Sequence, residues 1–122
     1  MANDFKSFSK ANIAIDSGTY STIYTVPGVD TESILLEIDI ANIHASDDIT
    51  VDVKVNKNSG GTGGTDDVFL VKAAPVPVGG ALKAVSGQKI VMMSTATGAD
   101  TVTVAASAAS SADCIVSVLE DV

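Results

Sequence analysis

Arginine and tryptophan are both absent from this sequence. Seven lysines are set against 15 acidic residues, so the formal net charge is -8. Nucleic-acid binding depends on clustered Lys and Arg side chains that neutralise phosphates, and base recognition favours Arg. We therefore expect no nucleic-acid partner, and the excess of acidic side chains favours solubility instead.

Cysteine is almost absent too, because the chain has only Cys114. A single cysteine excludes an intramolecular disulfide and gives no sign of an oxidising compartment. No run approaches the roughly 18 apolar residues of a membrane span, and the N-terminal residues do not show the pattern of a signal peptide. We expect no membrane partner, and we expect synthesis in a cytoplasm.

Aromatic residues make up only 4% of the chain, although hydrophobic residues make up 46%. The core must therefore be filled by Val, Ile, Leu and Ala. β-Branched side chains suit a pleated sheet, and the many Ser, Thr, Gly and Asp residues supply turns. A length of 122 residues fits one domain.

Hydrophobic alternation is the main secondary-structure signal. In residues 34–43, the apolar residues Ile34, Leu36, Ile38 and Ile40 share one face. Residues 49–57 alternate more strictly, with Ile49, Val51, Val53 and Val55 on one face. A period of two predicts strands. Because the link between these two strands is short, we predict them as neighbours in one antiparallel sheet.

Shorter apolar runs complete the predicted architecture. Further strands are expected over residues 11–15, 20–26, 68–73, 81–85, 89–93, 101–106 and 114–119, with turns at Ser17-Gly18 and Ser86-Gly87. Prolines and glycines at residues 75–80 predict a buried corner between two strands, and the glycine-rich residues 58–65 predict a mobile loop. The fold class is all-β: a single antiparallel β-sandwich of about eight strands over residues 10–122, with immunoglobulin-like or jelly-roll connectivity.

Residues 1–9 form a predicted N-terminal arm that carries Phe5 and Phe8. Two interpretations are open, since chain termini are loose unless something ties them down. The arm either folds back on its own sandwich or docks onto a neighbouring subunit.

Two late strands are apolar on both faces. One sandwich layer covers only one face of a strand, so the second faces are candidate subunit contacts and predict self-association. The candidate contact residues, including the two arm phenylalanines, are Phe5, Phe8, Val91, Met93, Ile115 and Leu119.

Catalytic and metal chemistry find little support in the residue pattern. Nucleophilic catalysis needs a base beside Ser or Cys, and the only histidine, His44, follows a strand at a predicted turn. Cys114 lies in an apolar strand, where a buried inert thiol is the common case. The pairs Asp47-Asp48 and Asp66-Asp67 lack the spacing of a calcium loop, so turn solvation is the favoured explanation. We predict no enzyme, no catalytic residues, no metal and no cofactor.

Several short motifs resemble one protein family. They are YTVP at residues 24–27, IANI at 40–43, VFLVKAAPVPVGGAL at 68–82, QKIVM at 88–92 and SVLE at 117–120. In this order they are similar to the small β-sandwich virion structural proteins of tailed bacteriophages, notably those of marine and cyanobacterial hosts. The family's turn before the penultimate strand is shorter than Gly98-Ala99-Asp100 here. The resemblance implies a structural context and transfers no catalytic residue.

The family resemblance implies a non-enzymatic virion protein on the capsid surface. The leading hypothesis is a capsid decoration or cement subunit that bridges coat proteins, with a trimer or other homo-oligomer as its assembled form and the major capsid protein or other virion proteins as partners. A small tail or fibre component is the first alternative. A carbohydrate-binding adhesin module is the second, and the scarcity of aromatic side chains counts against it.

Overall fold

The computed structural model describes residues 3–13, 20–60 and 66–121, and it confirms an all-β fold. No helix occurs in these ranges, so nothing in them is a helix that could cross a membrane. The described residues form eight strands: β1 (Asn3–Lys10), β2 (Ser21–Thr25), β3 (Thr31–Asn42), β4 (Ile49–Asn56), β5 (Val68–Val76), β6 (Ala81–Ser94), β7 (Thr101–Ala106) and β8 (Ala112–Asp121).

The strands form two four-stranded antiparallel sheets that pack as a sandwich. The first sheet has the order β1-β8-β3-β6 and the second has the order β2-β7-β4-β5. Strand β1 pairs with β8, β2 with β7, β3 with β6 and β4 with β5, as in one long hairpin rolled into two layers. Of the two predicted connectivities, this is the jelly roll.

The prediction that residues 34–43 and 49–57 are neighbours in one sheet is wrong. The first segment lies in β3 of the first sheet, and the second lies in β4 of the second sheet. The prediction that Ile34 and Leu36 share a face with Ile38 and Ile40 is also wrong, because the register shift between Leu35 and Glu37 leaves Ile34 and Leu36 half-buried while Ile38 and Ile40 are fully buried. Alternation does not identify the partner of a strand, and a six-residue link is long enough to cross the roughly 10 Å between packed sheets. Asn42 stabilises this crossing, because its side-chain amide nitrogen donates hydrogen bonds to the backbone carbonyls of Asp47 and Val76 at 3.0 Å.

The predicted corner after the fifth strand is present, but it is exposed rather than buried, with Val78 47% exposed. The Gly80 amide donates to the Pro77 carbonyl at 2.9 Å, and Gly79 adopts a φ of 77°. This turn carries the chain from β5 in the second sheet to β6 in the first. Pro75 lies within β5, which is tolerated because β5 is an edge strand.

Strand β6 is continuous, so the predicted turn at Ser86-Gly87 is wrong. The register against β3 shifts between Leu35 and Glu37, and Gly87 and Lys89 have φ values of 84° and 61°. The extra residues of β6 form a bulge that bends the strand without ending it.

Two predicted segments fall partly outside the described residues. The first is the turn of the hairpin at residues 17–18 together with the end of its first strand, predicted over residues 11–15. Residues 11–13 are described and are not in a strand, so this part of the prediction is wrong, and Ile13 is fully buried. The second is the glycine tract, of which residues 61–65 are not described. At the start of this tract, Ser59 is 1% exposed and its amide donates to Asp100 at 3.0 Å, so this part of the loop is held by the sandwich.

Aliphatic side chains fill the space between the sheets, as the composition predicts. Inward positions of β3, β4, β7 and β8 are occupied mainly by Val and Ile, and the aromatic side chain buried among them is Tyr24. Inward and outward residues alternate along β8 from Ala112 to Asp121. This alternation fixes which side chains of each strand reach the outer face of its sheet.

Replacing Ile38 by Ala should lower the free energy of unfolding by about 2–5 kcal/mol, because Ile38 is fully buried and its loss leaves a cavity. The matched control is Ile43→Ala at a position that is 43% exposed, where we expect a change within about 1 kcal/mol. Urea unfolding followed by circular dichroism measures both. Equal losses in the two variants would contradict this placement of the core.

Candidate subunit-contact surface

Five of the six predicted contact residues lie on the outer face of the first sheet. On β8, Ile115 and Leu119 alternate with the buried residues Cys114, Val116 and Val118, so they point away from the core. On β6, Val91 and Met93 flank the fully buried Met92 in the same way. Phe5 on β1 is directly opposite Leu119 in the register.

The strand register joins four of these outward side chains into a line, here called the apolar row: Phe5, Leu119, Ile34 and Val91. Phe5 lies opposite Leu119, Leu119 opposite Ile34, and Ile34 opposite Val91. The apolar row therefore crosses all four strands of the first sheet. Neighbouring side chains in such a row are roughly 5 Å apart, which makes the apolar surface continuous.

The two ends of the apolar row are the most accessible. Phe5 is 76% exposed and Val91 is 52% exposed, whereas Ile34 and Leu119 are half-buried. A shallow concavity of about 230 Å³ lies over the row and is lined by Glu32, Ile34, Val91, Leu119 and Asp121. Glu32 and Asp121 face each other in the register and form an acidic border along one side of the row.

A larger concavity of about 360 Å³ lies at the other end of the same sheet. Ala41, Ala81 and Ile115 contribute apolar surface to it, and Lys10, Asp39 and Asp113 contribute charged groups. Small side chains on β3 and β6 leave this depression between β1 and the other strands. The outer face of the first sheet thus combines an apolar row, concave areas and mainly acidic charges.

Phe8 lies on the opposite side of β1 from Phe5. Residues three apart in a strand point to opposite faces, and Phe8 packs on Tyr24 with ring centroids 5.0 Å apart. The structure therefore separates the two phenylalanines that the sequence analysis grouped together. Phe5 is on the surface, and Phe8 attaches β1 to the sandwich.

A buried polar cluster lies beneath the apolar row, on the inner side of the first sheet. Glu120 is 1% exposed, and its Oε1 atom lies 2.8 Å from the Lys6 ammonium nitrogen. The Tyr24 hydroxyl donates to Glu120 Oε2 at 2.6 Å, and Ser33 Oγ lies 2.9 Å from the same hydroxyl. These four residues come from β1, β2, β3 and β8, so the cluster joins the two sheets.

Burial alone would raise the pKa of Glu120, but the Lys6 and Tyr24 hydrogen bonds outweigh it and hold the pKa below its ordinary value of 4.5. Burial and the Glu120 hydrogen bond raise the pKa of Tyr24. The cluster is therefore a carboxylate paired with an ammonium and a neutral phenol at neutral pH. Sequence analysis missed Glu120, although its position on β8 has the same parity as Val116 and Val118.

Asp100 is a second buried carboxylate, at 0% exposure. It accepts hydrogen bonds from Lys57 Nζ at 2.8 Å, the Ser59 amide at 3.0 Å and the Met93 amide at 3.1 Å. Burial would raise its pKa, but these donors together lower it. Asp100 thus fixes the loop after β4 against the end of β6.

The remaining candidates for chemistry are held by structural contacts. His44 Nδ1 accepts hydrogen bonds from the Ser46 and Asp47 amides at 3.2 Å and 3.0 Å, so this ring nitrogen is part of the turn. Burial raises the pKa of the Cys114 thiol to about 12. Over residues 3–13, 20–60 and 66–121, no three His, Cys, Asp or Glu side chains converge as a metal site would require.

The free energy of unfolding should fall with pH below about 4.5, because the folded-state pKa of Glu120 lies below its ordinary value. The unfolded chain then binds a proton before the folded chain does, so the stabilisation is complete above this pH and is lost as pH falls through the folded pKa. In Glu120→Gln the free energy of unfolding should fall less steeply as the pH is lowered. The exposed control Glu32→Gln should show the same dependence on pH as the native chain. Urea unfolding between neutral pH and pH 3 tests this, and equal slopes in Glu120→Gln and the native chain would refute it.

Comparison with known proteins adds a likeness of fold. No protein-family model matches the sequence, and no curated protein matches it either. Among solved structures, a chain in the structure of infectious bursal disease virus, Gt strain, matches with a TM-score of 0.51 and 9% sequence identity. The match covers 97% of this chain and 31% of that chain, so the present chain spans less than a third of its neighbour's length. At this identity the likeness shows the fold alone, and the chain is a β-sandwich similar to one found in a virus particle.

Proposed function

We propose that this chain is a non-enzymatic virion structural protein of a tailed bacteriophage, a capsid decoration or cement subunit that bridges coat proteins on the outer capsid surface. In this role, the outer face of the first sheet contacts the coat proteins. The observation that carries the proposal is the apolar row, whose end residues Phe5 and Val91 are each more than half exposed in the isolated chain. Exposed apolar surface of this kind marks interaction sites in soluble proteins.

The arrangement around the apolar row supports a specific contact. Interfaces concentrate binding energy in a few buried anchors, with aromatic residues prominent among them, surrounded by a polar rim. Phe5 supplies such an anchor, and Glu32 and Asp121 supply an acidic rim on one side. A complementary partner would present an apolar ridge with Lys or Arg beside it, because close acidic surfaces repel each other.

The fold and the sequence resemblance support the virion context. Jelly rolls recur in viral capsid and lectin domains, so the fold by itself leaves both roles available. The structural neighbour belongs to infectious bursal disease virus, and the short motifs resemble those of phage virion proteins.

The outer face of the second sheet disfavours the lectin alternative. Its exposed aromatic ring is Phe69, with Tyr20 6.4 Å away between ring centroids. Lys72 Nζ lies 4.8 Å from the Phe69 centroid, and Lys54 Nζ lies 5.5 Å from it and 5.4 Å from the Tyr20 centroid. Sugar rings stack on open aromatic faces, whereas these rings contact ammonium groups.

Three potentially reactive groups have structural roles, which supports a protein without an active site. Glu120 and Asp100 are buried carboxylates paired with lysines, and the Cys114 thiol is protonated at neutral pH because its pKa is about 12. A nucleophile needs an adjacent base and access to substrate. None of these three groups has both.

Copy number per particle tests the capsid placement. We expect on the order of hundreds of copies in purified particles by quantitative gel electrophoresis, because capsid surfaces repeat a subunit over all symmetry positions. A dozen copies or fewer would place the chain in the tail and overturn the capsid role. Absence from purified particles would overturn the virion role as a whole.

Val91→Asp should strongly lower the occupancy of this protein on particles, because it places a charge in the apolar row that would be buried in the contact. The matched control is Val68→Asp on β5 of the second sheet, where the side chain is 49% exposed against 52% for Val91. Binding of each purified variant to particles lacking the protein is measured by sedimentation. Equal occupancy for the two variants would exclude the apolar row as the contact.

A further inference from the structure

We propose that β1 is exchanged between subunits, so that β1 of one copy pairs with β8 of a second copy. Residues 3–10 of a neighbouring chain then pair with the edge of β8, in the same register that β1 and β8 have within one chain. The inference concerns the chain by itself and does not depend on a virion role.

Strand β1 adds little to the core of its own chain. Of its described side chains at residues 4–10, Phe8 is half-buried and the other six are exposed. It is an edge strand whose ladder partner is β8. If β1 moved to another copy, the strand itself would therefore expose little additional apolar surface. The main newly exposed surface would be the part of its own chain that β1 had covered.

The site that β1 leaves would be costly to keep empty. Glu120 is 1% exposed and is paired with Lys6 of β1, so departure of β1 would leave a buried carboxylate without its cation. Tyr24 would lose its contact with Phe8, and the backbone edge of β8 would be open. A second copy of β1 supplies the same lysine, phenylalanine and ladder, so the site selects the β1 sequence whichever chain carries it.

A two-residue hinge separates β1 from the core. Lys10 is opposite Cys114, and the Ile13 amide donates to the Ala112 carbonyl at 2.9 Å, so Ala11 and Asn12 together oppose Asp113. Asn12 has a φ of 57°, in the left-handed region, and its amide donates to Asp113 Oδ1 at 3.0 Å. Ile13 is fully buried and fixes the chain on the far side of this hinge.

Short hinges under strain favour strand exchange, because an extended hinge removes the strain while every contact of the exchanged strand is remade in a partner. Asn tolerates the left-handed conformation better than most residues, which keeps the unexchanged form accessible. The hinge and the Glu120 site thus provide both elements that exchange requires. The hinge explains how β1 is released from its own chain, and the Glu120 site explains why β1 of another copy binds there specifically.

A disulfide across the ladder distinguishes the two arrangements. Ser7 and Ser117 are directly opposite in the register. Opposed residues in antiparallel strands lie about 4.5–5.5 Å apart between Cα atoms, within the range that a disulfide spans. We would introduce Ser7→Cys with Ser117→Cys in a Cys114→Ala background and oxidise the purified protein at its highest soluble concentration.

Exchange predicts covalent dimers or larger rings on a non-reducing gel, which return to monomers on reduction. A product that is entirely a disulfide-closed monomer would overturn the proposal. Two free thiols under oxidation would also overturn it, since they would show that β1 does not occupy this register in either arrangement.

A mixed-chain experiment checks the result independently of the double variant. Chains with Ser7→Cys alone and with Ser117→Cys alone, both in the Cys114→Ala background and carrying different tags, are co-expressed and oxidised. Exchange predicts a covalent heterodimer of the two tags, and its absence counts against exchange. Asn12→Gly, which relieves the strain at the hinge, should lower the heterodimer fraction severalfold, and an unchanged fraction would exclude the hinge strain as its cause.

Discussion

The buried carboxylate of Glu120 is the constraint on which the assembly of this sandwich depends. A carboxylate between two apolar sheets is unfavourable unless it is paired and hydrogen-bonded. Lys6, Tyr24 and Ser33 meet that requirement, and they come from three other strands in both sheets. The ion pair, together with the Phe8–Tyr24 contact and the β1–β8 ladder, therefore determines where β1 lies, and with it the position of Phe5 in the apolar row.

The same constraint explains why the N-terminal strand can be both specific and weakly held. Its sequence matches the site beside Glu120 and Tyr24, while most of its side chains remain in solvent. Specificity in this strand comes from one ion pair, one aromatic contact and a ladder rather than from buried area. In the proposed exchange, such a strand would attach one subunit to another without altering the core of either.

Much of the fold follows from local sequence patterns. The alternation in residues 34–43 and 49–57 predicts β3 and β4, and the prolines and glycines of residues 75–80 predict the corner between the sheets. The assignment of Ile115 and Leu119 to an outer face follows from the same period of two. These features depend on side chains within one segment, which is why sequence alone determines them.

What the sequence could not supply is the pairing between distant segments. The separation of β3 and β4 into different sheets depends on the roll of the whole chain, and the bulge in β6 depends on its register with β3. The apolar row has the same origin, since Phe5, Ile34, Val91 and Leu119 become neighbours only through three strand pairings. The parity of Glu120 was visible, but its partners Lys6 and Tyr24 are on strands far away in the chain.

The register of β1 against β8 also places the start of β1 beside the end of β8. Asn3 lies opposite Asp121, so the chain enters and leaves the first sheet at one corner, beside Glu32. Asn3 and Asp121 therefore lie one strand spacing apart, roughly 5 Å. A short covalent linker joining Asn3 to Asp121 would give a circular chain with unchanged strand order, in which β1 stays on the β8 of its own chain.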